Sequence, residues 1–521
     1  MIPVLSVQNM RVSDAETIRQ SVSGRELMLR AARGIVRETQ NAFPDLCGPI
    51  AIVCGSGNNA GDGYAAALLL KEQGLSCELI LLSEKFSPDA LYYYTQCQEK
   101  GIKICPPADT APALARLREG CYPLILDCIF GTGFHGVPDG SAAEAIAAIN
   151  DARLQYHCRI VSADINSGLN GDNGLGVCAV RSDLTVAVGS YKPGLFLNQA
   201  KDLIDRRVFC DIGIAPVEQP FMLLEPRDVA ALFPKRQNDS HKGTYGYIAL
   251  MGGSLPYSGA IRLANLAASA MRCGAGVVKI AAPASLCGAL MPLILESTLF
   301  PLEDNGAGAV LFSPSRLEEL IRGTRAIAFG MGIGTSEETS KTLRYLLEHY
   351  NGTLIIDADG LNALAGLLQK PDSGKHLLRH SAARIILTPH LKEFSRLCGA
   401  SVAEIREHPV ELARDFAGSH QVTVLLKGPS TLITDGSRVY LTDRGCPGMG
   451  TAGSGDVLSG ILAAVCGQHP DSENPALLAA AGAFINGAAG ELAQEKSNAV
   501  TMTAGDTARS VQEIMIRLLK E

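Results

Sequence analysis

Short apolar runs alternate with alanine-rich stretches along most of the chain. The run "PIAIVCG" is followed by "GDGYAAALLLKEQG" and then by "SCELILLS". An apolar run of strand length followed by a helical stretch is typical of a β-α-β unit, in which parallel strands are buried on both faces. Similar runs recur at "PLILDCIFG", "RIVSADI", "DLTVAVG", "TYGYIALMGG", "GVVKIAA", "TRAIAFGMG", "TLIIDADG", "ARIILTPH" and "VTVLLKG". The pattern predicts an α/β protein whose ligands bind beyond the carboxyl ends of the strands.

A proline-punctuated connector divides this series of runs. Prolines stand at positions 216, 220, 226 and 234, and few contacts usually cross such a segment. The chain has 521 residues, which exceeds the roughly 100 to 200 residues of a typical domain. We therefore expect one α/β domain at residues 1–214 and a second at residues 224–521.

Composition narrows the classes of partner. The net charge is −7 and no lysine or arginine cluster stands out, so we expect no nucleic acid partner. Fifteen cysteines without a C-x-x-C pair are typical of reduced thiols in a cytoplasmic protein. The N-terminus lacks the pattern of a signal peptide, and no apolar run approaches the ~20 residues that span a bilayer. The sequence predicts a soluble, cytoplasmic protein with no membrane partner.

The first glycine-rich strand exit is "VCGSGNNAGDGYAAALLL". Its backbone N–H groups and helix dipole can hold an anion. Residues 55–60 fit the dinucleotide fingerprint G-x-G-x-x-G/A, and Glu78 has the spacing of a ribose ligand, so an NAD-dependent dehydrogenase is one alternative. Asn58, Asn59 and Asp62, however, place amides and a carboxylate in the turn, and these groups suit hydroxyl groups or a cation. A strand-to-helix turn without a ligand is the other alternative.

Two further strand exits carry carboxylates. Asp127 ends one apolar run and precedes the loop 131–137, and Asp164 ends another. Either aspartate alone is often a cap or turn residue. Two carboxylates facing an Asn-Asn loop, however, need a proton or a cation to compensate their charge. The sequence therefore predicts a bound monovalent cation.

The stretch "GMGTAGSGDVLSG" is the second glycine-rich exit. Apolar residues at helical spacing after it place the start of a helix near Gly455 and Asp456. The bare N–H groups of such a turn stabilise a phosphoryl group in transfer. We expect the helix dipole to keep Asp456 ionised, so that it accepts a proton from an attacking hydroxyl. An N-cap role is the alternative for Asp456.

Polar residues at neighbouring exits extend this second site. The turn 427–431 in "VLLKGPSTLI" fits the phosphate or ribose of a nucleotide. Asp359, His390 and Glu393 outline a crevice for Mg²⁺, which prefers carboxylates together with phosphates. The chain has no G-x-x-x-x-G-K-[ST] motif. These residues indicate phosphoryl transfer to a hydroxyl at a kinase-like site that lacks a P-loop.

The set "GSGNNAGDG", "DCIFGTGFHG", "SADINSGL" and "VGSYKPGL" resembles the epimerase domain of the bifunctional NAD(P)H-hydrate repair enzymes. The resemblance implies a Rossmann-like three-layer α/β/α sandwich over residues 1–214 and a catalytic Asp164 at the reacting ring. Family motifs read GNNGGDG and D-I-P-S-G, so Ala60 and Asn166 depart from them. The implied K⁺ ligands are Asn59, Asp127 and Ser167. The implied substrate contacts are Asn58, Asn59, Ala60, Gly61, Asp62, Gly131, Thr132, Gly133, Phe134, His135, Gly136, Val137 and Asp164.

The motifs "GGSLPYSGA", "FGMGIGT", "DADGLNAL", "LTPHLKEF", "LKGPST" and "GTAGSGD" resemble the ribokinase-like dehydratase of the same enzymes. The resemblance implies dehydration of NADHX and NADPHX with ADP or ATP and Mg²⁺, catalysis by Asp456, and a homo-oligomer. The implied substrate contacts are Ala260, Gly332, His390 and Asp456. The implied nucleotide contacts are Lys427, Gly428, Pro429, Ser430, Thr431 and Gly455.

Three other functions are weighed against this resemblance. A dehydrogenase would bind intact NAD at the first glycine loop and leave the second site unused. A ribokinase-like vitamin kinase with a Rossmann-like regulatory domain would release a stable phosphorylated product. A nucleotide sensor with decayed sites is disfavoured because Asp164 and Asp456 are both present.

Overall fold

The computed structural model describes residues 1–20, 22–268, 272–369 and 374–520. The chain divides into two compact units, one of Pro3–Pro220 and one of Met1–Ile2 with Phe221–Glu521. The division between 220 and 221 lies in the proline-punctuated connector. Met1 belongs with the C-terminal unit, unlike in the predicted limits 1–214, because its ammonium group donates to Asp228 Oδ1 at 2.8 Å.

The N-terminal unit is built on a seven-stranded parallel sheet. Its strands are β2 (Ile50–Cys54), β3 (Cys77–Leu81), β4 (Lys103–Cys105), β5 (Leu124–Cys128), β6 (Arg159–Ala163), β7 (Ser182–Val188) and β8 (Ile204–Cys210). Its helices are α1 (Val7–Gln20), α2 (Gly24–Ala42), α3 (Asn58–Glu72), α4 (Pro88–Glu99), α5 (Thr110–Arg118), α6 (Gly140–Tyr156) and α7 (Ala200–Leu203). The strand order is β4-β3-β2-β5-β6-β7-β8. The order reverses between β2 and β5, and this switch point is where an open parallel sheet holds its ligand.

Helices cover both faces of this sheet. Successive residues of a strand point to opposite faces. Ile50 and Ile52 of β2 accordingly pack in one core with α2 and α3, whereas Ala51 and Val53 pack in the other with α5 and α6. The predicted three-layer arrangement is confirmed for this unit.

The C-terminal unit contains ten sheet strands among its described residues, in the order β9-β18-β17-β16-β15-β14-β13-β10-β11-β12. The strands are β9 (Phe221–Leu223), β10 (Tyr247–Met251), β11 (Val277–Pro283), β12 (Thr298–Leu302), β13 (Ala326–Phe329), β14 (Thr353–Ile356), β15 (Arg384–Leu387), β16 (Thr423–Leu426), β17 (Thr431–Thr434) and β18 (Val439–Thr442). The first strand of the chain, β1 (Ile2–Val4), spans the division between Ile2 and Pro3. Strands β10 to β16 pair in parallel, and β17 is antiparallel to both neighbours. Here the order reverses at β10 and β13, which provides a second switch point.

Helices pack on this second sheet as well. They are α8 (Pro226–Ala230), α9 (Ser258–Ala268), α10 (Ala284–Leu290), α11 (Pro314–Ile321), α12 (Glu337–His349), α13 (Asp359–Leu368), α14 (Gly374–Arg379), α15 (Leu391–Cys398), α16 (Val402–Glu407), α17 (Pro409–His420), α18 (Ser454–Gln468), α19 (Pro475–Lys496) and α20 (Ala504–Leu518). Both units therefore have the predicted α/β class.

Helix α19 departs from the expectation that no apolar segment is long enough to span a bilayer. In the described part of the chain it is the one helix that is long and apolar enough to cross a membrane, with a mean hydropathy of 1.4. Its apolar window is 89% buried inside the unit, where Phe484 and Ile485 pack in the core with Leu462 of α18. This burial accounts for its composition as a core helix.

Candidate active sites

A cavity of about 580 Å³ lies at the switch point of the N-terminal unit. The turn after β2, the loop after β5 and the end of β6 all contribute to it, because parallel strands end at the same edge of a sheet. The predicted site residues that line it are Asn58, Asn59, Asp62, Gly131, Thr132, Gly133, Phe134 and Asp164. The structure therefore brings together residues that are more than 100 positions apart.

Five predicted substrate contacts do not line this cavity. Ala60 and Gly61 face the protein interior from α3, and a Cβ on Gly61 would lie 2.5 Å from the Met28 methyl carbon. His135, Gly136 and Val137 are exposed, because the loop turns outward after Phe134. The contacts implied for these five positions therefore stay predictions, outside the lining of this cavity.

Asp164 is held in an unusual backbone conformation beside a buried lysine. Its φ of +65° lies in the left-handed region, which non-glycine residues adopt mainly at functional sites. Its Oδ1 accepts hydrogen bonds from the Val188 N–H at 3.0 Å and from Lys192 Nζ. The Lys192 side chain is only 1% exposed and also donates to the Val188 carbonyl at 2.8 Å. Lys192 is thus an ion-pair partner of the predicted catalytic carboxylate.

Three further carboxyl groups, those of Asp14, Asp62 and Asp89, line the same cavity. Burial and the nearby charge of Asp164 raise the pKa of Asp62 well above its usual range. Burial also raises the pKa of Asp14, which lies on α1. The cavity therefore combines an ion-paired carboxylate with carboxyl groups that retain a proton more readily. Sequence reasoning missed Asp14 because it lies in no glycine-rich motif and approaches the site only through the tertiary fold.

The predicted cation ligands surround Asp127. Asp127 is fully buried and accepts hydrogen bonds from Ser162 Oγ at 2.9 Å and from Ser167 Oγ at 2.5 Å. Burial raises its pKa, although the hydrogen bonds from Ser167 lower it. Asn59 Nδ2 donates to the Phe130 carbonyl at 2.8 Å, while its buried Oδ1 has no partner among the described residues. An orphaned amide oxygen next to a buried carboxylate, a hydroxyl and a carbonyl fits a monovalent cation.

The sequence predicts two carboxylates that need compensation, Asp127 and Asp164, but Lys192 pairs with Asp164. Of these two, Asp127 is the one without a cationic side chain within salt-bridge distance among the described residues, and Ser162 and Ser167 donate hydrogen bonds to it.

The alternative NAD-binding interpretation conflicts with the position of Glu78. This residue is 4% exposed, and it accepts hydrogen bonds from Lys103 Nζ at 2.9 Å, Arg116 Nη2 at 2.5 Å and Tyr122 Oη at 2.6 Å. Burial raises its pKa, but these hydrogen bonds and charges bring it below the usual value. Glu78 is therefore fully engaged within the fold and does not line the cavity.

Asn166 replaces the proline of the family motif, and its side chain fixes the loop instead. Asn166 Nδ2 donates to the Val180 carbonyl at 2.8 Å and to Ser182 Oγ at 3.0 Å. Its Oδ1 accepts from Thr185 Oγ1 at 2.5 Å. The lost backbone constraint is thus replaced by buried hydrogen bonds.

In the C-terminal unit, Asp456 lies in the first turn of α18. The helix begins at Ser454, and Gly453 is its N-cap with a φ of +95°, so the N-cap alternative for Asp456 is wrong. Burial and the charge of Asp357 raise the pKa of Asp456 to about 7, against the opposing effect of Lys427. The expectation that the helix dipole keeps Asp456 fully ionised is therefore corrected. A carboxyl with this pKa is matched to proton transfer near neutral pH.

A buried ion pair lies directly behind the glycine turn. Lys427 Nζ donates to Asp357 Oδ1 at 3.0 Å, and Asp357 also accepts from Thr388 at 2.8 Å and from Ser459 at 2.8 Å. Burial raises the pKa of Asp357, but the charge of Lys427 and these hydrogen bonds hold it below the usual value. A Cβ on Gly455 would lie 3.4 Å from both Asp357 Oδ2 and Lys427 Nζ, so glycine keeps the turn close to this pair.

The predicted nucleotide turn divides into two kinds of position. Gly428 and Pro429 are exposed, whereas Ser430 is buried and donates to Asp443 Oδ1 at 3.1 Å. Thr431 begins β17. The ammonium group of Lys427 is engaged by Asp357, with Glu393 at 3.8 Å. Gly428 and Pro429 are therefore the most accessible members of the predicted set.

His390 has a capping role that the sequence does not reveal. It is the N-cap of α15, and its Nδ1 accepts hydrogen bonds from the N–H groups of Lys392 at 3.1 Å and Glu393 at 3.2 Å. Burial lowers the pKa of His390, although the charge of Glu393 opposes this. The side chain is half exposed, and its Nε2 lies 3.5 Å from Glu393 Oε1.

The other two predicted substrate contacts meet at the second switch point. Gly332 has a φ of +63°, and a Cβ there would lie 3.0 Å from the Ala260 Cβ. The loop after β13 thus packs directly on the start of α9.

Comparisons with known proteins agree with this arrangement. The family model described as NAD(P)H-hydrate dehydratase matches residues 248–513, and that of the YjeF-related protein N-terminus matches residues 24–194. The bifunctional NAD(P)H-hydrate repair enzyme Nnr of Moorella thermoacetica is 35% identical over 92% of this chain and 89% of the relative. The enzyme of the same name from Escherichia coli is 29% identical over 94% and 89% of the two chains.

The chain belongs to the bifunctional NAD(P)H-hydrate repair enzyme family. Among solved structures, it is similar to the ADP/ATP-dependent NAD(P)H-hydrate dehydratase of Bacillus subtilis co-crystallised with ATP/Mg²⁺. The two are 26% identical, the match covers 57% of this chain and 99% of that one, and the TM-score is 0.48. The motifs quoted above do not contain Asp14, and they do not indicate that Lys192 pairs with Asp164.

Proposed function

We propose that this chain repairs hydrated NADH and NADPH through two activities. The N-terminal unit interconverts the R and S hydrates, and the C-terminal unit dehydrates the S hydrate to NAD(P)H with ADP or ATP. The supporting observation is that Asp164 lines the cavity at the switch point of the first sheet and Asp456 lies in the first turn of α18, in a chain of the bifunctional repair enzyme family. The first unit then supplies the epimer that the second consumes.

Epimerisation needs a proton to move at the hydroxyl-bearing carbon next to the ring nitrogen. We infer that a carboxyl group on the cavity wall protonates the hydroxyl, which leaves as water, and that water then adds to the other face of the planar ring carbon. Asp62 has the raised pKa that suits the acid, and Asp164 with its Lys192 partner suits the group that accepts the proton from the returning water. The different environments of Asp62 and Asp164 thus suit one carboxyl to act as the acid and the other as the base.

Dehydration starts with the hydroxyl of the S hydrate. Asp456 accepts its proton, the oxygen attacks the terminal phosphorus of ADP or ATP, and AMP or ADP leaves. The C–O bond then breaks with the ring nitrogen supplying electrons, phosphate departs, and loss of a neighbouring C–H proton restores NAD(P)H. The N–H groups of the turn before α18 stabilise the charge on the transferring group.

Mg²⁺ enters this site with the nucleotide in our proposal. The described residues contain no group of three His, Cys, Asp or Glu side chains arranged for a metal. Mg²⁺ is usually held by one or two carboxylates together with substrate phosphates, whose charge it neutralises. Asp359 and Glu393 are the carboxylates that would hold Mg²⁺ in this proposal, and each also accepts a backbone hydrogen bond.

The direct test incubates purified protein with mixed R and S hydrates, ADP and Mg²⁺. We expect complete recovery of the reduced-nicotinamide absorbance with release of one phosphate per NAD(P)H. A vitamin kinase would give a stable phosphorylated product, and a dehydrogenase would need a hydride acceptor. The proposal would be contradicted if neither the R nor the S hydrate gave NAD(P)H.

The pKa of Asp456 predicts a pH profile for dehydration. Because Asp456 must be ionised to accept a proton, kcat/KM for the S hydrate should rise as pH increases through about 7 and level off above it. Initial rates between pH 5.5 and 8.5 measure this directly. A profile that is flat across neutral pH would exclude Asp456 as the titrating base.

We propose that K⁺ binds at Asn59, Asp127 and Ser167. A ligand that binds only the folded state at 100 times its Kd stabilises it by about 2.7 kcal/mol. Exchange of K⁺ for choline at constant ionic strength should therefore lower the Tm of the N-terminal unit by several degrees. Asp127→Asn should lose this response, and equal Tm values for the parent protein in both salts would count against the site.

Two further assignments remain our predictions. All fifteen cysteines are free thiols, which supports a reducing, cytoplasmic location. The family resemblance leads us to expect a homo-oligomer, which sedimentation or light scattering measures.

A further inference from the structure

The C-terminal unit contains a cavity of about 480 Å³. It lies among α9, α20 and the segment 290–296. Three arginines line it, Arg262 of α9, Arg272, and Arg509 of α20, and we call it the arginine pocket. Glu296 is the one acidic residue among the described residues that line it. The balance of charge inside the pocket therefore favours an anion.

Several N–H donors of these guanidinium groups have no hydrogen-bond partner among the described residues. Arg272 Nε is buried without a hydrogen-bond partner among the described residues. Its Nη1 makes only a long 3.4 Å hydrogen bond, to the Arg509 carbonyl. Arg262 has no ion pair or hydrogen bond to any residue in the ranges that the structure describes, and Arg509 pairs with Asp506 near the surface at 2.9 Å. Guanidinium groups with unpaired N–H donors can bind a phosphate, because two parallel N–H groups fit two of its oxygens.

The rest of the lining is apolar. The residues of this kind are Ile261, Leu263, Leu266, Leu290, Leu293, Ile294 and Leu295. A pocket of several hundred Å³ with apolar walls and a few convergent polar groups is typical of a small-molecule site. A ligand with a flat ring and a phosphate would use both parts of this lining.

The pocket begins next to the glycine turn that carries Asp456. A Cβ on Gly453 would lie 2.4 Å from Leu263 Cδ1 and 3.1 Å from the Ala504 Cβ. Leu263 and Gly505, the neighbour of Ala504, both line the pocket. The arginine pocket and the catalytic turn therefore share a wall.

We propose that the arginine pocket binds the adenosine 2′-phosphate end of hydrated NADPH while the hydrated ring lies at Asp456. The proposal rests on the proposed dehydratase function and adds a specificity determinant to it. Arginine is the residue type that accommodates a 2′-phosphate in dinucleotide sites, and hydrated NADH lacks this group. The arginines would thus favour the phosphorylated substrate.

The test compares Arg262→Ala and Arg509→Ala with the parent protein on purified S-NADPHX and S-NADHX, each with ADP and Mg²⁺. We expect kcat/KM to fall at least tenfold for S-NADPHX and less than twofold for S-NADHX. Arg322→Ala is the matched control, because Arg322 lies in the same unit with its side chain 77% exposed and pairs with Glu318 on the same helix turn rather than lining the pocket. Equal losses on both substrates, or no loss on either, would overturn the assignment.

A binding measurement separates this proposal from the proposed function. Adenosine 2′,5′-bisphosphate should bind the parent protein in titration calorimetry, and Arg262→Ala should weaken its Kd at least tenfold relative to Arg322→Ala. If dehydration itself is absent, the proposed function fails while this titration still decides the pocket. Equal Kd values for the two variants would exclude a phosphate contact at Arg262.

Discussion

Asp456→Asn should abolish the recovery of NAD(P)H from the S hydrate, with kcat reduced by about 10²–10⁴-fold, the usual contribution of a general base. The amide keeps the shape of the side chain but cannot accept the hydroxyl proton. The pKa of about 7 makes Asp456 a base at neutral pH in the parent protein, whereas Asp357 behind it is tied to Lys427. Stopped assays of released phosphate and of reduced-nicotinamide absorbance measure the loss.

Asp228→Asn is a suitable control for this variant. Asp228 is also the third residue of a helix, α8, and so matches Asp456 in helix position and in the atoms changed. It should leave kcat for dehydration unchanged. Epimer exchange, followed by chromatography of the two hydrates, should be unaffected in Asp456→Asn. Turnover of the S hydrate at the parental rate would show that another group removes the proton.

The sequence predicted the fold well where local pattern decides it. The alternation of apolar runs and alanine-rich stretches corresponds to the strands and helices of both units, because fully buried parallel strands need continuous apolar residues. The start of α18 at Ser454 falls one residue before the predicted Gly455. Glycines at positive φ, such as Gly453, mark the turn directly in the sequence.

Electrostatic states could not be predicted in this way. The ion pair of Lys192 with Asp164 joins residues 28 positions apart, and that of Lys427 with Asp357 joins residues 70 positions apart. No spacing rule connects such pairs, because the fold alone brings them together. The raised pKa of Asp456 likewise depends on burial and on Asp357, which outweigh the local helix dipole that the sequence suggests.

Glu78 illustrates the opposite error, a motif match that the tertiary structure overrides. Its distance from the first glycine loop fits a ribose ligand, yet Arg116, Lys103 and Tyr122 converge on it in the fold. A carboxylate with three such donors has little remaining capacity to bind a ribose. Spacing therefore identified the correct strand ends but not which polar side chains remain available there.

Asp164→Asn should limit repair of a mixed hydrate sample to its S fraction. The dehydratase would consume the S hydrate at the parental rate, and the absorbance would then stop rising because epimerisation falls by about 10²–10⁴-fold. The control Asp183→Asn changes an aspartate of the same unit that pairs with Arg153 and Arg159 and does not line the cavity, and it should allow full recovery. Full recovery at the parental rate in Asp164→Asn would remove Asp164 from the mechanism.

Because Asp164 pairs with the buried Lys192, a loss of epimerisation in Asp164→Asn must be distinguished from a loss of folded protein. Removing one partner of a buried ion pair costs on the order of 3–5 kcal/mol, so Lys192→Met is expected to destabilise the unit, whereas Asp164→Asn keeps an oxygen that can accept from Lys192. Thermal unfolding should therefore show a larger loss of Tm for Lys192→Met than for Asp164→Asn. If Asp164→Asn lost epimerisation only in proportion to its folded fraction, its role would be structural, and Asp62 and Asp14 would become the acid–base candidates on the cavity wall.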